Sequence, residues 1–136
     1  MSNVEVIKNA YAAFGKGDVA AVLGAMDPKI EWYEAEGNPY MPSGEAIIGP
    51  DAVLHQLFAR LAEEWDDFGV HPKLYYNAGD TVIVEGRYSG TFKATGKEQD
   101  TQVCHFWHLR GGKVTKFQQY VNTAALQEVM GVHAGS

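Results

Sequence analysis

The stretch Thr101–Thr123, TQVCHFWHLRGGKVTKFQQYVNT, decides the fold. Two β-type runs flank Arg110-Gly111-Gly112-Lys113. Adjacent glycines between apolar-rich runs mark a hairpin, because glycine adopts φ > 0 without steric cost. Side chains alternate between the two faces of a strand. His105, Trp107 and Leu109 therefore share one face of the first run, and Cys104, Phe106, His108 and Arg110 share the other. In the second run Phe117, Gln119 and Val121 oppose Lys116, Gln118, Tyr120 and Asn122. One hairpin face is thus aromatic and aliphatic, with an imidazole and an amide set into it. Such a face suits a pocket wall as well as a core wall.

Upstream, Val4, Ile7, Tyr11 and Phe14 fall on one side of an amphipathic helix over residues 3–14, opened by Ser2 or Asn3 and stopped by Gly15 and Gly17. Asp18 caps a second helix whose buried stripe is Val19, Val22, Leu23 and Met26, ended by Asp27-Pro28. Ile30–Glu34 is short, aromatic and strand-like. The Gly- and Pro-rich segment 37–49 predicts a surface loop, and Tyr40, Met41, Ile47 and Ile48 suggest that it lies over something as a flap. Pro50-Asp51 opens a third helix through Glu64, with Val53, Leu54, Leu57, Phe58 and Leu61 inward. Residues 68–77 and 80–93 read as two strands joined by Asn77-Ala78-Gly79-Asp80, and the tail after Thr123 as one or two helical turns. Helices gathered on one face of an antiparallel sheet give an α+β fold.

The 136 residues are the size of a single domain, 1–136, with an ordinary 46% hydrophobic and 21% charged content. A net charge of −6 argues against a nucleic-acid or anionic-membrane partner, both of which need a basic footprint. No stretch approaches the roughly 18 apolar residues of a membrane span, and no secretory signal layout opens the chain. Cys104 is the single cysteine, so no internal disulfide forms. A cytoplasmic location is the expectation.

The Tyr-Ala-Ala-Phe…Gly17-Asp18 end of the first helix, Met26-Asp27-Pro28 before Trp32, and Ile48-Gly49-Pro50 before the third helix form a recognisable series. Asn77-Ala78-Gly79-Asp80, Gly90 in its Ser-Gly-Thr turn and Gly112-Lys113-Val114 complete it. In order and spacing the chain resembles the nuclear transport factor two-like (cystatin-like) superfamily, and within it the SnoaL-like polyketide cyclase and ketosteroid isomerase relatives. The resemblance implies a curved antiparallel sheet wrapped around N-terminal helices into a cone-shaped pocket. It also implies pairing into a homodimer through the outer sheet face, here the face of Gln118, Tyr120 and Asn122. In the isomerase branch a carboxylate base takes a proton while a tyrosine and a protonated aspartic acid hold the developing oxyanion. The base falls on Glu34, the acidic donor on His105, and the tyrosine on Ala10 with Tyr11 beside it. The polyketide cyclase branch uses a carboxylate with a histidine nearby, and His105 suits that role. Asn122 stands where relatives often have aspartate. The limonene epoxide hydrolase branch needs a buried Asp-Arg-Asp set, which Glu85 and Arg87 alone do not make.

Glu34 lies two residues after Trp32 and so on its face, where an apolar pocket would raise the carboxyl pKa as a general acid or base requires. Glu36 is the alternative pocket carboxylate. His105 is read as an oxyanion donor or an acid/base near neutral pH, or else as a core histidine bonded to a carbonyl. Gln119 either orients a ligand carbonyl or bonds to His105 and fixes its tautomer. Trp32, Tyr40 and Trp107 would line a cavity for a flat or alicyclic ligand, with the Tyr11 hydroxyl at its rim. Arg87 is expected to pair with Glu85 on the outer face, and Glu63-Glu64 with Asp66-Asp67 to form a solvated helix end.

His105 and His108 point to opposite faces, so they cannot chelate one metal. No metal site, phosphate loop or dinucleotide fingerprint is found, and no cofactor is implied. The leading expectation is a cofactor-free isomerase or cyclase acting on a small hydrophobic carbonyl compound. The alternatives are a non-catalytic module that binds such a ligand and a pure interaction domain.

Overall fold

The Arg110-Gly111-Gly112-Lys113 turn forms as its sequence demands. Gly111 and Gly112 both take positive φ, 58° and 76°, the conformation of a two-residue turn whose twist matches the flanking strands. It joins β5 (Glu98–Arg110) to β6 (Lys113–Val121), with His105 opposite Gln119 and Trp107 opposite Phe117. The computed structural model describes residues 1–132.

Around this hairpin β3 (Trp65–Ala78) and β4 (Thr81–Phe92) extend the sheet on one side, and β1 (Met26–Tyr33) and β2 (Ile47–Ile48) on the other. The order β2-β1-β6-β5-β4-β3 leaves the curved sheet unclosed, with β2 and β3 as its edges. Every neighbouring pair is antiparallel except β1 with β6, which run parallel. The second helix ends sooner than its apolar stripe suggests. α2 spans Val19–Gly24, and Met26 opens β1 opposite Val114. The Ala25 carbonyl accepts the Val114 N–H at 2.8 Å, so the sheet claims the residue that would have continued the helix.

α1 (Asn3–Gly15) carries a reciprocal cap between Ser2 and Glu5 and packs on β3 and β4. The third helical segment is α3 (Pro50–Val53), a π-helical turn (Leu54–Phe58) and α4 (Ala59–Glu64) in unbroken succession. Leu57, Phe58 and Leu61 all face inward, as helical spacing predicts, and each is buried. α5 (Thr123–Met130) closes over β5, its N-terminus capped by Asn122 Oδ1 accepting from the Ala125 N–H. Asn122, expected on the outer face at a site position, is thus a helix cap.

β3 begins at Trp65, so Asp66 and Asp67 are exposed strand residues and the helix end stops at Glu64. Asp66 pairs with Thr91 and Gly69 with Ser89, which leaves one extra residue on β3, and Asp67 takes φ 52° within that bulge. The extra residue re-phases the strand and brings Phe68 and Val70 to the inner face. No helix among the described residues is long and apolar enough to cross a membrane.

Candidate functional site

The inner face of β5, from Thr101 through Val103, His105 and Trp107 to Leu109, is buried, and its His105 and Trp107 line a cavity of about 70 Å³. β1 adds Trp32, and Glu34 follows the strand end by one residue. β6 contributes Phe117 and Gln119, β4 contributes Tyr88, and α1 contributes Ala10, Tyr11 and Phe14. Every residue singled out in the sequence for the pocket (Tyr11, Trp32, Glu34, Tyr40, His105, Trp107 and Gln119) lines this cavity. Tyr11, Phe14, Phe68 and Val70 are its half-exposed lining residues and the rest are buried, so its mouth lies between α1 and the first half of β3. Glu36 is exposed and absent from the lining.

Glu34 is 3% exposed, and Oε2 of its carboxylate accepts the Trp32 indole N–H at 3.2 Å. Burial raises its pKa to about 7, against a smaller opposing effect of the indole donor. The carboxyl thus carries or releases a proton near neutrality, in a setting of aromatic walls. Trp32 stacks on Phe117 at a 3.8 Å centroid separation and meets Trp107 edge-on.

His105 lies between two hydroxyls. Tyr11 Oη is 2.7 Å from Nδ1, and Tyr88 Oη is 2.6 Å from Nε2. Burial pushes the imidazole pKa down to about 3, so the ring is neutral at physiological pH. This corrects two expectations. His105 titrates far below neutrality, and with both nitrogens taken it reaches a ligand only through a tyrosine. Gln119 does not bond to His105 either, although the two are cross-strand partners, because the Tyr88 hydroxyl stands between them. Gln119 Nε2 donates to Tyr88 Oη at 2.8 Å, and Gln119 Oε1 accepts from Asn38 Nδ2 at 2.9 Å and from the Ala35 N–H at 3.3 Å. On the other side the Trp107 indole N–H donates to Tyr11 Oη at 2.8 Å. Burial holds both tyrosine hydroxyls well above their ordinary pKa, and the Glu34 carboxylate adds to the shift at Tyr88.

Tyr40 presents its ring to the cavity and its hydroxyl away from it, accepting from the Trp65 indole at 2.9 Å and donating to Glu64 at 3.1 Å. Arg87 pairs with Asp100 across the β4–β5 ladder and not with Glu85, which accepts from the Tyr76 hydroxyl at 3.0 Å. Asp100 is the diagonal cross-strand neighbour of Arg87, opposite Ser89, and lies within reach of the long arginine side chain. Among the described residues no group of three or more His, Cys, Asp or Glu side chains could hold a metal ion.

Two members of the site escape a reading of the sequence. Tyr88 shares the inward face of β4 with Val82 and Val84, so strict alternation along the strand would have found it. Asn38 sits in a Gly-Asn-Pro turn, where asparagine reads as a turn former, yet it is 2% exposed and anchors Gln119.

A SnoaL-like domain model matches residues 7–117 of the chain. The chain belongs to the SnoaL-like domain family. Solved structures similar to this SnoaL-like protein include an NTF2-like protein from Burkholderia thailandensis, 35% identical, with 96% of this chain and 98% of that chain covered and a TM-score of 0.89. TerC, co-crystallised with polyporic acid, is 25% identical over 95% of this chain and 98% of that chain, with a TM-score of 0.83. A candidate SnoaL-like polyketide cyclase from Jannaschia is 19% identical over 94% of this chain and 90% of that chain, with a TM-score of 0.81, and shares the fold. No curated protein matches the chain.

Proposed function

We propose that this SnoaL-like protein carries out cofactor-free acid–base chemistry on a small hydrophobic carbonyl compound. The observation that carries the reading is a buried carboxyl with a pKa of about 7, beside a neutral Tyr–His–Tyr group in one aromatic-walled cavity. In the reaction the Glu34 carboxylate takes a proton from the carbon next to the ligand carbonyl. The electron pair of that C–H bond moves to the oxygen, giving an enolate. A tyrosine hydroxyl held by His105 donates to the enolate oxygen, and protonated Glu34 returns its proton to carbon, at the same position or a conjugated one. His105 is here a positioning residue. The walls suit a flat or alicyclic skeleton, and the co-crystal of TerC with polyporic acid supports a small organic ligand on this scaffold.

The test is hydrogen–deuterium exchange at the α-carbon of cyclohexanone and 2-tetralone in D₂O, followed by NMR. Wild type should accelerate exchange, and Glu34→Gln should lose about 10²–10⁴-fold of that acceleration. Binding of either ketone with no accelerated exchange would leave a ligand-binding module. We further propose that the outer sheet face pairs two copies of the chain, because Leu74, Tyr76 and Tyr120 are exposed there together.

A further inference from the structure

Two peptide groups fix the orientation of both side-chain amides in the site. The Tyr40 N–H donates to Asn38 at 3.0 Å, which makes that atom the amide oxygen and turns Asn38 Nδ2 toward Gln119. The Ala35 N–H does the same for Gln119, so Gln119 Nε2 faces Tyr88. Trp107 Nε1 is a donor by its chemistry and faces Tyr11. Each tyrosine oxygen therefore already accepts one hydrogen bond from a fixed donor.

Between the two oxygens stands a neutral imidazole, which has one N–H and one bare nitrogen. The Tyr11–His105–Tyr88 set holds three protons, one on each hydroxyl and one on the ring, for the two links that join it. One hydroxyl proton is left over. If the ring proton is on Nδ1, His105 donates to Tyr11, Tyr88 donates to Nε2, and the spare proton is on Tyr11. If it is on Nε2, the roles reverse and the spare proton is on Tyr88.

Resting on the reading of the site given above, we propose that Tyr11–His105–Tyr88 is a tautomer-controlled donor. It offers the cavity a single hydroxyl proton at a time, from Tyr11 or from Tyr88 according to the imidazole tautomer. This matches a ligand with one acceptor oxygen, a ketone or its enolate, and disfavours a carboxylate, which needs two donors. The tyrosine that donates to the ligand is also the one that accepts from both His105 and a fixed donor. Charge growing on the ligand oxygen is thereby shared along the chain of bonds.

The test needs no reaction, so it can fail independently of any catalytic role. Two-bond ¹H–¹⁵N correlation spectra at pH 7, with the His105 signals assigned by their loss in His105→Gln, report which ring nitrogen carries the proton. In Tyr88→Phe the ring should hold its proton on Nδ1, facing the remaining hydroxyl, and in Tyr11→Phe on Nε2, because an orphaned buried N–H is the costlier defect. Gln119→Met and Trp107→Phe keep both hydroxyls and serve if either first variant does not fold. Gln119→Met leaves the Tyr88 oxygen to accept from the ring and should favour Nε2–H, and Trp107→Phe should favour Nδ1–H. The same tautomer in both members of a folded pair, or a doubly protonated ring at pH 7, overturns the proposal.

Discussion

The Trp32 indole N–H is the one donor, among the described residues, that hydrogen-bonds the Glu34 carboxylate, at 3.2 Å. The pair sits two residues apart across the β1 end, so one short stretch of chain supplies both the acid and the group that steadies its charged form. Hydrogen bonds to charged groups contribute about 1.5–3 kcal/mol, equivalent to roughly one to two pKa units. Trp32→Phe should therefore raise the Glu34 pKa above its present value of about 7. The alkaline shift would be read as displaced pH dependence of α-carbon exchange, and an unmoved profile would contradict the assignment of Glu34.

Glu34 and His105 couple stability to pH with opposite signs. The Glu34 pKa rises on folding from 4.5 to about 7, so the native state holds a proton that the unfolded chain has released. Its contribution is complete below pH 4.5 and is lost as pH climbs through about 7. The His105 pKa falls from 6.5 to about 3, so the unfolded chain binds a proton that the native state refuses. That contribution is complete above pH 6.5 and is lost as pH drops toward 3. Between pH 4.5 and 6.5 the two slopes, each about 1.4 kcal/mol per pH unit, offset one another. Relative to wild type, Glu34→Gln should gain stability with rising pH in that window and His105→Gln should lose it. Urea unfolding at several pH values measures both.

Gly86 lies where β4 passes the second irregularity of β3, between Pro72 and Leu74. A Cβ there would stand 2.5 Å from the His71 carbonyl oxygen, and backbone atoms cannot swing aside as a side chain can. Gly86→Ala should destabilise the protein by about 1–3 kcal/mol, visible as a lower Tm. A variant as stable as wild type would mean that the strands are not held so closely.

The outer-face pairing predicts its own disruption. Tyr120 is 55% exposed and packs edge-on against the Phe106 ring. Wild type should scatter light as a dimer, and Tyr120→Asp should shift it toward the monomer without loss of thermal stability. A monomeric wild type at high concentration removes the proposal.

Much of this architecture is legible in the sequence because its signals are local. The twin glycines, the period-two faces of β5 and β6 and the Pro50-Asp51 helix start all act within a few residues. What alternation could not reveal are the irregularities. The bulge at Asp67 changes the phase of a side-chain pattern, and the π turn over Leu54–Phe58 interrupts an otherwise regular helix without turning its apolar residues outward. The site divides along the same line. Placing Glu34 and His105 on inward faces needs only strand periodicity. That His105 is enclosed by Tyr11 and Tyr88, 94 and 17 residues away, depends on where α1 and β4 come to rest.

The turn from Ala35 to Tyr40 has a reach beyond its size. Its two main-chain amides decide which end of Asn38 and of Gln119 points where, and so which way protons can face deep within the sheet. A change in the backbone shape of this turn that kept Asn38 and Tyr40 would let both amides rotate, presenting a carbonyl to Tyr88 where a donor now stands. In a scaffold of this kind, new ligand preferences can therefore begin with insertions outside the hollow, before any residue in contact with the ligand has changed.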